Sequence, residues 1–277
     1  MRALTRDRNA VHRNFIGSNK KKFERELLEN QRKIKRGELE KHDWVSDRWK
    51  AGKDQLKIET GGKCAYCEAP TGVVYWGDVE HYRPKSKYWW LAYSYDNYLF
   101  TCVICNSKFK SNRFPIKNSK LRGPVIRSNT TDAFIDSKVD TLGPDPQDEL
   151  KVGEFEQDHD RERPYLPNPY FDPPEQYLCF MADDVIREVD IVPNPEDPDA
   201  ERICSAVIQY YGLNRKELRS YRFGEYRKYR AFRMVAEFDG ISDEIKTVML
   251  NEIEIMKADG AAFSGMIRYF DGLPNLG

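Results

Sequence analysis

Two Cys-x-x-Cys pairs constrain the fold of this chain more than any other feature of its sequence. Cys64 and Cys67 form the first pair, and Cys102 and Cys105 form the second. Two knuckles of this spacing supply four thiolates, the complete ligand set of a tetrahedral structural zinc ion. Because four thiolates leave no open coordination position, the predicted zinc stabilises the fold and any chemistry must come from other residues.

A histidine and two oxygen-bearing side chains lie between or beside the knuckles. His81 follows Glu80, and Asn106 follows Cys105 directly. Near neutral pH a histidine is a competent general base, and carboxylate and amide oxygens suit Mg²⁺ or Mn²⁺. The pattern therefore predicts a second, hard-metal site with His81 as its base. In a regular strand Glu80 and His81 point to opposite faces, so serving one phosphate requires the strand to end or twist near Pro84.

The secondary structure predicted around these residues is strand, loop, strand and helix. Residues 73–82 are rich in Val, Tyr and Trp, which favours a strand, and residues 88–100 form an aromatic loop that ends in a second strand. A helix is expected to start at Ile104 and to reach about Lys110. This order places His81 on the first strand and Asn106 at the helix start.

This set of residues resembles the HNH endonucleases of the ββα-metal type, in their H-N-N variant. The residues that carry the resemblance are Cys64, Cys67, Glu80, His81, Asn97, Cys102, Cys105 and Asn106. It implies that His81 is the general base and that Glu80 and Asn106 bind one catalytic Mg²⁺ or Mn²⁺. It also implies that Asn97 holds the loop that orients the histidine. Members of the family often have Asp where this chain has Glu80, which is one methylene longer.

A closer resemblance is to the HNH subunit of Septu-type anti-phage systems, a subfamily that also accompanies some retrons. It is carried by the runs at residues 80–85, 88–93, 105–106, 114–116, 166–175 and 208–222. It implies a nuclease effector, with DNA as the first expected substrate, and an ABC-type ATPase as partner protein. Two alternatives stay open: an effector of the same system that cleaves RNA such as tRNA, and a zinc-stabilised module that binds nucleic acid without cleaving it.

The fold class implied is α+β, with a small zinc-stabilised ββα-metal core between N-terminal helices and a mainly helical C-terminal region. Residues 1–57 are predicted to form a basic arm and helices, and residues 58–127 the zinc-knuckle nuclease core. Residues 128–198 are rich in proline and are predicted to be irregular, wrapping or linking the other parts. Residues 199–277 are predicted to be helical and to dock the partner protein.

Several boundaries follow from local chemistry. Residues 20–57 carry apolar stripes of helical spacing with a break at Gly37, whereas residues 1–18 are polar and are expected to form a loose arm. A short hairpin is predicted over residues 177–192. In the C-terminal region Gly212 is predicted to close one helix, and the N-caps predicted for the next two are Asn214 and Ser242.

The formal charge is zero overall but is unevenly distributed. Residues 1–127 carry 28 Lys/Arg against 14 Asp/Glu, a net of +14, and residues 128–277 carry 17 against 31, a net of −14. A basic half that contains the knuckles predicts a nucleic acid as its partner. The cations expected to contact it are Arg83, Lys85, Lys108, Lys110 and Arg113. The aromatic residues that either stack on bases or fill the core, with packing favoured, are Trp76, Trp89, Trp90 and Tyr93.

The cysteine usage and the absence of apolar runs indicate the compartment. No apolar stretch reaches the ~18–20 residues that a membrane span needs, and no secretory signal follows the start of the sequence. The two cysteines outside the knuckles, Cys179 and Cys204, have apolar neighbours and do not form a disulfide framework. We therefore expect a cytoplasmic protein without membrane contact.

Overall fold

The computed structural model describes residues 1–72 and 75–273, which form a mixed structure of helices and two small sheets. In those residues the α-helices are α1 Gly17–Arg36, α2 Ser46–Lys50, α3 Lys53–Glu59, α4 Asp132–Lys138, α5 Glu149–Glu162, α6 Ala200–Tyr211, α7 Lys216–Ala236, α8 Asp243–Lys257 and α9 Ser264–Asp271. The strands are β1 Asp78–His81, β2 Tyr98–Thr101, β3 Leu178–Asp183 and β4 Glu188–Pro193. A π-helical segment covers Ile104–Lys110. None of the described helices combines the length and apolar composition needed to cross a membrane.

The first residues of the chain are packed against the rest of the protein, so the prediction of a loose arm is wrong. Phe15 is only 1% exposed, and the Leu4 amide donates to the Pro169 carbonyl at 2.7 Å. The Arg6 guanidinium lies 3.7 Å from the centroid of the Tyr170 ring and pairs with Glu59 at 3.1 Å. These partners are distant in sequence, which is why composition alone gave no sign of them.

Helix α1 ends at the predicted break. Gly37 has φ 76°, and its N–H donates to the carbonyls of Ile34 and Lys33. Glycine adopts this left-handed conformation at little cost, and it closes the helix by satisfying terminal carbonyls. The apolar stripe that follows forms two short helices, α2 and α3, which pack beside the first sheet.

The first sheet pairs β1 with β2 in antiparallel register, with Glu80 opposite Leu99 and His81 opposite Tyr98. The described strand starts at Asp78, later than the predicted residue 73, and residues 73–74 lie outside the described part. Gly77 has φ 69°, and a Cβ at this position would lie 2.2 Å from the Phe100 ring. The chain therefore turns at Gly77 and extends only afterwards. The π-helical segment follows β2, which gives the predicted order of strand, strand and helix.

The region 128–198 contains more regular structure than predicted. Two helices, α4 and α5, lie within it, and Asp148 caps α5 by accepting from the amides of Leu150 and Lys151. The prediction of a wholly irregular segment is therefore wrong. The predicted hairpin is confirmed by the antiparallel pairing of β3 with β4. The proline-rich stretch at residues 164–174, between α5 and β3, runs beside the N-terminal residues, where the Pro169 carbonyl accepts from the Leu4 amide.

The C-terminal region is helical as predicted. Gly212 closes α6 with φ 66°, and the Ser242 side chain caps α8 by accepting from the Ile245 amide. The predicted cap at Asn214 is wrong, since α7 begins at Lys216 and Asn214 instead bonds the backbone of Ile191. That side chain joins β4 to the turn between the two helices.

One large hydrophobic cluster runs through all four predicted regions, with buried residues from Met1 to Phe270. Ion pairs also cross between the basic and the acidic half. Arg25 of α1 pairs with Asp136, and Arg32 pairs with Asp132 at 2.6 Å. Part of the positive charge of the first half therefore neutralises acidic groups of the second half and is not displayed to an external partner.

Candidate active site and metal centre

The four knuckle cysteines converge as predicted. Their sulfur atoms all lie within 4.8 Å of one another, and three of the four residues are buried. Four thiolates at about 2.3 Å from a tetrahedral zinc would be about 3.8 Å apart, so the cluster fits this ion after a small contraction. The Cys105 amide lies 3.4 Å from Cys102 Sγ, inside the second knuckle. The Ala65 amide donates to the Phe100 carbonyl at 2.9 Å and ties the first knuckle to β2.

An arginine from the C-terminal region covers this cluster and was not singled out from the sequence. The guanidinium of Arg215 lies 3.6 Å from Cys105 Sγ and 3.8 Å from Cys67 Sγ. A tetrathiolate zinc site has a net charge of about −2. Arg215 therefore supplies compensating charge and links the start of α7 to the second shell of the metal centre. The run at residues 212–215 was part of the resemblance, but its spacing gave no role for this side chain.

His81 is the last residue of β1, and its ring contacts three neighbouring residues. Its Nε2 lies 2.9 Å from the Ala92 carbonyl, and its ring meets the rings of Trp49 and Tyr98 edge-on at 5.0 and 5.1 Å. A carbonyl can only accept, so Nε2 carries the proton and Nδ1 has the free lone pair. Within the described residues Nδ1 has no hydrogen-bond partner. Burial, aided by nearby Lys85, lowers the pKa of His81 to about 3, so the ring is neutral near pH 7.

Asn97 fixes the backbone that follows His81. Its Oδ1 accepts from the Arg83 amide at 2.8 Å, and its Nδ2 donates to the Arg83 carbonyl at 3.0 Å and to the Leu91 carbonyl at 3.3 Å. The Asn97 carbonyl also accepts from the Tyr82 amide at 2.8 Å. The side chain is fully buried. It thus joins the chain leaving β1 to the loop that contains Ala92, the hydrogen-bond partner of His81.

Glu80 and Lys110 form a buried ion pair on the other face of β1. Lys110 Nζ lies 2.5 Å from Glu80 Oε1, and it donates to the His81 carbonyl at 3.1 Å. Burial raises the pKa of the Glu80 carboxyl and lowers that of the Lys110 ammonium, and the attraction between them opposes both shifts. Lys110 therefore neutralises the carboxylate at the base of the candidate site.

The predicted hard-metal ligands come from adjoining elements. Glu80 lies on β1, and Asn106 lies in the first turn of the π-helical segment, where its amide donates to the Cys102 carbonyl at 3.0 Å. One buried carboxylate, paired with Lys110, and one half-buried amide are a small donor set. Such a set fits Mg²⁺, which keeps several waters and takes further ligands from phosphate. Lys110 shares the carboxylate, so a cation at Glu80 would compete with this ammonium.

The five predicted nucleic-acid contacts divide by exposure. Lys108 and Arg113 are exposed, and Lys85 is half-buried. Arg83 and Lys110 are fully buried and have no surface with which to reach an external phosphate. Arg83 Nε instead donates to Glu162 Oε2 of α5 at 2.8 Å. Of the four aromatic residues, Trp90 and Tyr93 are buried, Trp89 is half-buried and Trp76 is 77% exposed.

The comparisons with known proteins give one partial similarity. A segment of 83 residues is 39% identical to the Septu protein PtuB of Bacillus mycoides (strain KBAB4), and it covers 25% of this chain and 28% of that protein. The similarity therefore spans little more than a quarter of the relative's length. No family model matches, and the solved structures give no significant match.

Proposed function

We propose that this chain is a metal-dependent HNH endonuclease that hydrolyses phosphodiester bonds of nucleic acid, with DNA as the first candidate substrate. The observation that carries the proposal is the orientation of His81. Its Nε2–H is engaged by the Ala92 carbonyl, and the lone pair of its Nδ1 is left free to accept a proton. The resemblance to the H-N-N motif supports the same role for this residue.

In the proposed mechanism each residue has a separate task. His81 Nδ1 accepts the proton of the attacking water, while Ala92 and Asn97 keep the imidazole in one tautomer and one orientation. Glu80 and Asn106 would hold Mg²⁺ or Mn²⁺, which supplies charge stabilisation at the phosphate when it is bound. The zinc held by the four cysteines has no chemical step and fixes β2 against the π-helical segment. Lys85, Lys108 and Arg113 are the proposed phosphate contacts on the open side.

The proposed biological setting is a Septu-type anti-phage system with an ABC-type ATPase as the partner. The partial similarity to PtuB and the wider sequence resemblance support this setting. We propose that the partner docks on the C-terminal helices, where apolar side chains are exposed. These are Met234, Phe238, Val248 and Ile255. Copurification with the product of an adjacent ATPase gene tests this docking. Phe238→Glu should abolish the copurification, whereas Leu150→Glu, at an exposed site on α5, should leave it unchanged.

The test of the nuclease proposal is cleavage of plasmid DNA, single-stranded DNA and tRNA with Mg²⁺ or Mn²⁺, with and without ATP and the copurified partner. We expect His81→Ala to lower the cleavage rate by about 10²- to 10⁴-fold, because the general base is lost. His12→Ala removes an exposed histidine and is the matched control. Zinc content and thermal unfolding of both variants establish that the fold is retained.

The same assay separates the alternatives. Cleavage of tRNA with DNA left intact would favour the RNA-cleaving effector. Binding of nucleic acid without cleavage under every condition would favour the non-catalytic zinc-stabilised module. Cleavage that persists unchanged in a folded His81→Ala variant would overturn the assignment of the base.

A further inference from the structure

A groove with basic and aromatic walls is lined in part by the loop that follows β1. It has a volume of about 590 Å³ and is formed where the loop between β1 and β2 meets residues 119–125. Its lining holds three cations and two tryptophans and no acidic residue. The cations are Lys87, Lys120 and Arg122, and the tryptophans are Trp89 and Trp90. A site of this composition attracts anions that also carry flat apolar surfaces.

The three cations of the groove are available to an external anion. All three are exposed, and none has a carboxylate within ion-pairing distance in the described part of the chain. Lys120 is also held in place, since its Nζ lies 4.6 Å from the Tyr88 ring centroid and donates to the Lys87 carbonyl at 2.6 Å. These lysines and the arginine differ from Arg25 and Arg32 of α1, whose charges are used in pairs with α4.

Stacked rings and the Lys85 ammonium connect the groove to His81. The Trp89 ring stacks on His42 with centroids 5.3 Å apart, and His42 stacks on Trp44 at 4.8 Å. The Lys85 ammonium lies 6.0 Å from the Trp44 ring and 5.1 Å from the Trp49 ring. Trp49 contacts the catalytic candidate His81 at 5.0 Å. We call this set the aromatic–cationic band: Trp44, Trp49, Trp89, Lys85, Lys87, Lys120 and Arg122.

We propose that the aromatic–cationic band binds a single-stranded segment of nucleic acid and leads it to His81. This inference rests on the proposed nuclease function and adds the substrate class. Aromatic rings bind bases by stacking only where the base faces are open, and a duplex hides those faces within its own stack. Surface cations without rings would serve a duplex equally well. The alternation of rings and unpaired cations therefore favours an unpaired strand, of DNA or of RNA.

The experiment measures binding apart from cleavage. Fluorescence anisotropy is recorded for His81→Ala protein in buffer without Mg²⁺, Mn²⁺ or chelator, so that the zinc is retained, with labelled 20-nucleotide DNA, RNA of the same sequence, and the DNA duplex. We expect tighter binding of the single strands than of the duplex. Trp89→Ala should weaken single-strand binding by about 5- to 100-fold, since one stacked base is lost, whereas Trp89→Phe should recover most of the affinity.

The cations are tested separately because their removal leaves the packed rings in place. The triple variant Lys87→Ala, Lys120→Ala, Arg122→Ala should reduce the slope of log affinity against log salt by about 2, given about 0.7 per phosphate contact on a single strand. Lys246→Ala, an exposed lysine of α8, is the control and should leave affinity and slope unchanged.

Each outcome has a defined reading. Equal or tighter binding of the duplex, or single-strand affinity unchanged in both the folded Trp89→Ala and the triple variant, overturns the band while leaving the nuclease proposal intact. Absence of binding to every nucleic acid overturns both proposals. Single-strand binding that depends on the band, in a wild-type protein that cleaves nothing, supports the band and overturns the nuclease. The DNA and RNA arms identify which strand is preferred.

Discussion

The two sheets of this chain have the same antiparallel pairing but different distributions of polar side chains. Along β3 and β4 burial alternates, with Val189 and Ile191 buried and Met181 exposed, as expected for a sheet with one face in water. Along β2 all four residues are buried, and the opposing β1 buries the ionisable pair Glu80 and His81. The first sheet therefore buries ionisable groups where the second buries apolar ones.

This difference supports the proposal that the functional site lies on the first sheet. Burying an ionisable side chain costs free energy unless a partner compensates for the lost hydration. Around the first sheet the compensation is specific: Lys110 pairs with Glu80, and the Ala92 carbonyl accepts from His81. The second sheet needs no such partners, because its buried side chains are apolar. Local departures from the usual burial pattern are expected at functional sites.

The largest expected effect comes from removing the zinc site. Cys67→Ser should abolish stoichiometric zinc and open the first sheet, because a structural zinc contributes apparent binding free energy on the order of 10–16 kcal/mol. Hydrogen exchange should show loss of protection over residues 98–110 and retained protection over residues 178–193. Cys179→Ser on β3 is the matched control and should keep its zinc. Full zinc content in Cys67→Ser would contradict the assignment of this ligand.

The next effect distinguishes a buried ion pair near the first sheet from an exposed one near the second. Glu162→Gln leaves the fully buried Arg83 guanidinium without its counter-charge and should cost about 3–5 kcal/mol in the free energy of unfolding. Asp184→Asn removes the partner of Arg230 at an exposed site and should cost about 0–1 kcal/mol. Urea denaturation of both variants measures the two costs. Equal costs would show that burial does not govern these pairs.

A third test uses two asparagines with matching geometry. Asn97 brackets the backbone amide and carbonyl of Arg83, and Asn214 brackets those of Ile191 at 2.9 and 2.8 Å. Replacement of either by Ala should lower stability by about 1–3 kcal/mol, because buried backbone groups lose their partners. Only Asn97→Ala should also reduce cleavage, by about 100-fold, since it releases the loop that orients His81. A comparable loss of cleavage in Asn214→Ala would show that the effect is general destabilisation.

The features predicted correctly from sequence depend on local chemistry. The cysteine spacing predicted the metal cluster. Gly37 and Gly212 predicted two helix ends, because a single residue with a left-handed backbone conformation is enough to end a helix. Helix α5 was missed because its sequence is mainly polar and only four of its residues are buried. Its contribution to the site, the pairing of Glu162 with Arg83, joins residues 79 positions apart.

The candidate site shows the same difference between local features, which the sequence predicted, and long-range contacts, which it did not. The motif located His81 and Asn97, but it did not reveal Trp49 against the histidine or Arg215 over the thiolates. These contacts join elements far apart in the chain and depend on α2 lying beside the first sheet and on the start of α7 reaching the knuckles. Arg83 and Lys110 were expected to contact phosphate because they are basic and near the motif, but both are buried as partners of carboxylates.

The smallest effect expected is a pH dependence of stability at His42. This ring lies between Trp44 and Trp89, with its Nε2 2.9 Å from Gln31 Oε1, and burial lowers its pKa to about 4. In the unfolded chain the pKa is about 6.5. The stabilisation is therefore complete above about pH 6.5 and is lost as the pH falls toward 4, because the unfolded state takes up the proton first.

His42→Gln removes this titration and should be less stable than the wild type at pH 7. The difference in unfolding free energy between the wild type and His42→Gln should narrow by about 1–2 kcal/mol between pH 7 and pH 4.5. This is less than the full pKa shift of His42 implies, because the ring keeps some contact with solvent. Urea denaturation at each pH measures the gap, with His12→Gln at an exposed histidine as control. A gap that stays constant with pH would mean that the stacked ring is not held neutral. The aromatic residues around the first sheet would then accommodate a charged imidazole as readily as the solvent-exposed face of the second sheet would.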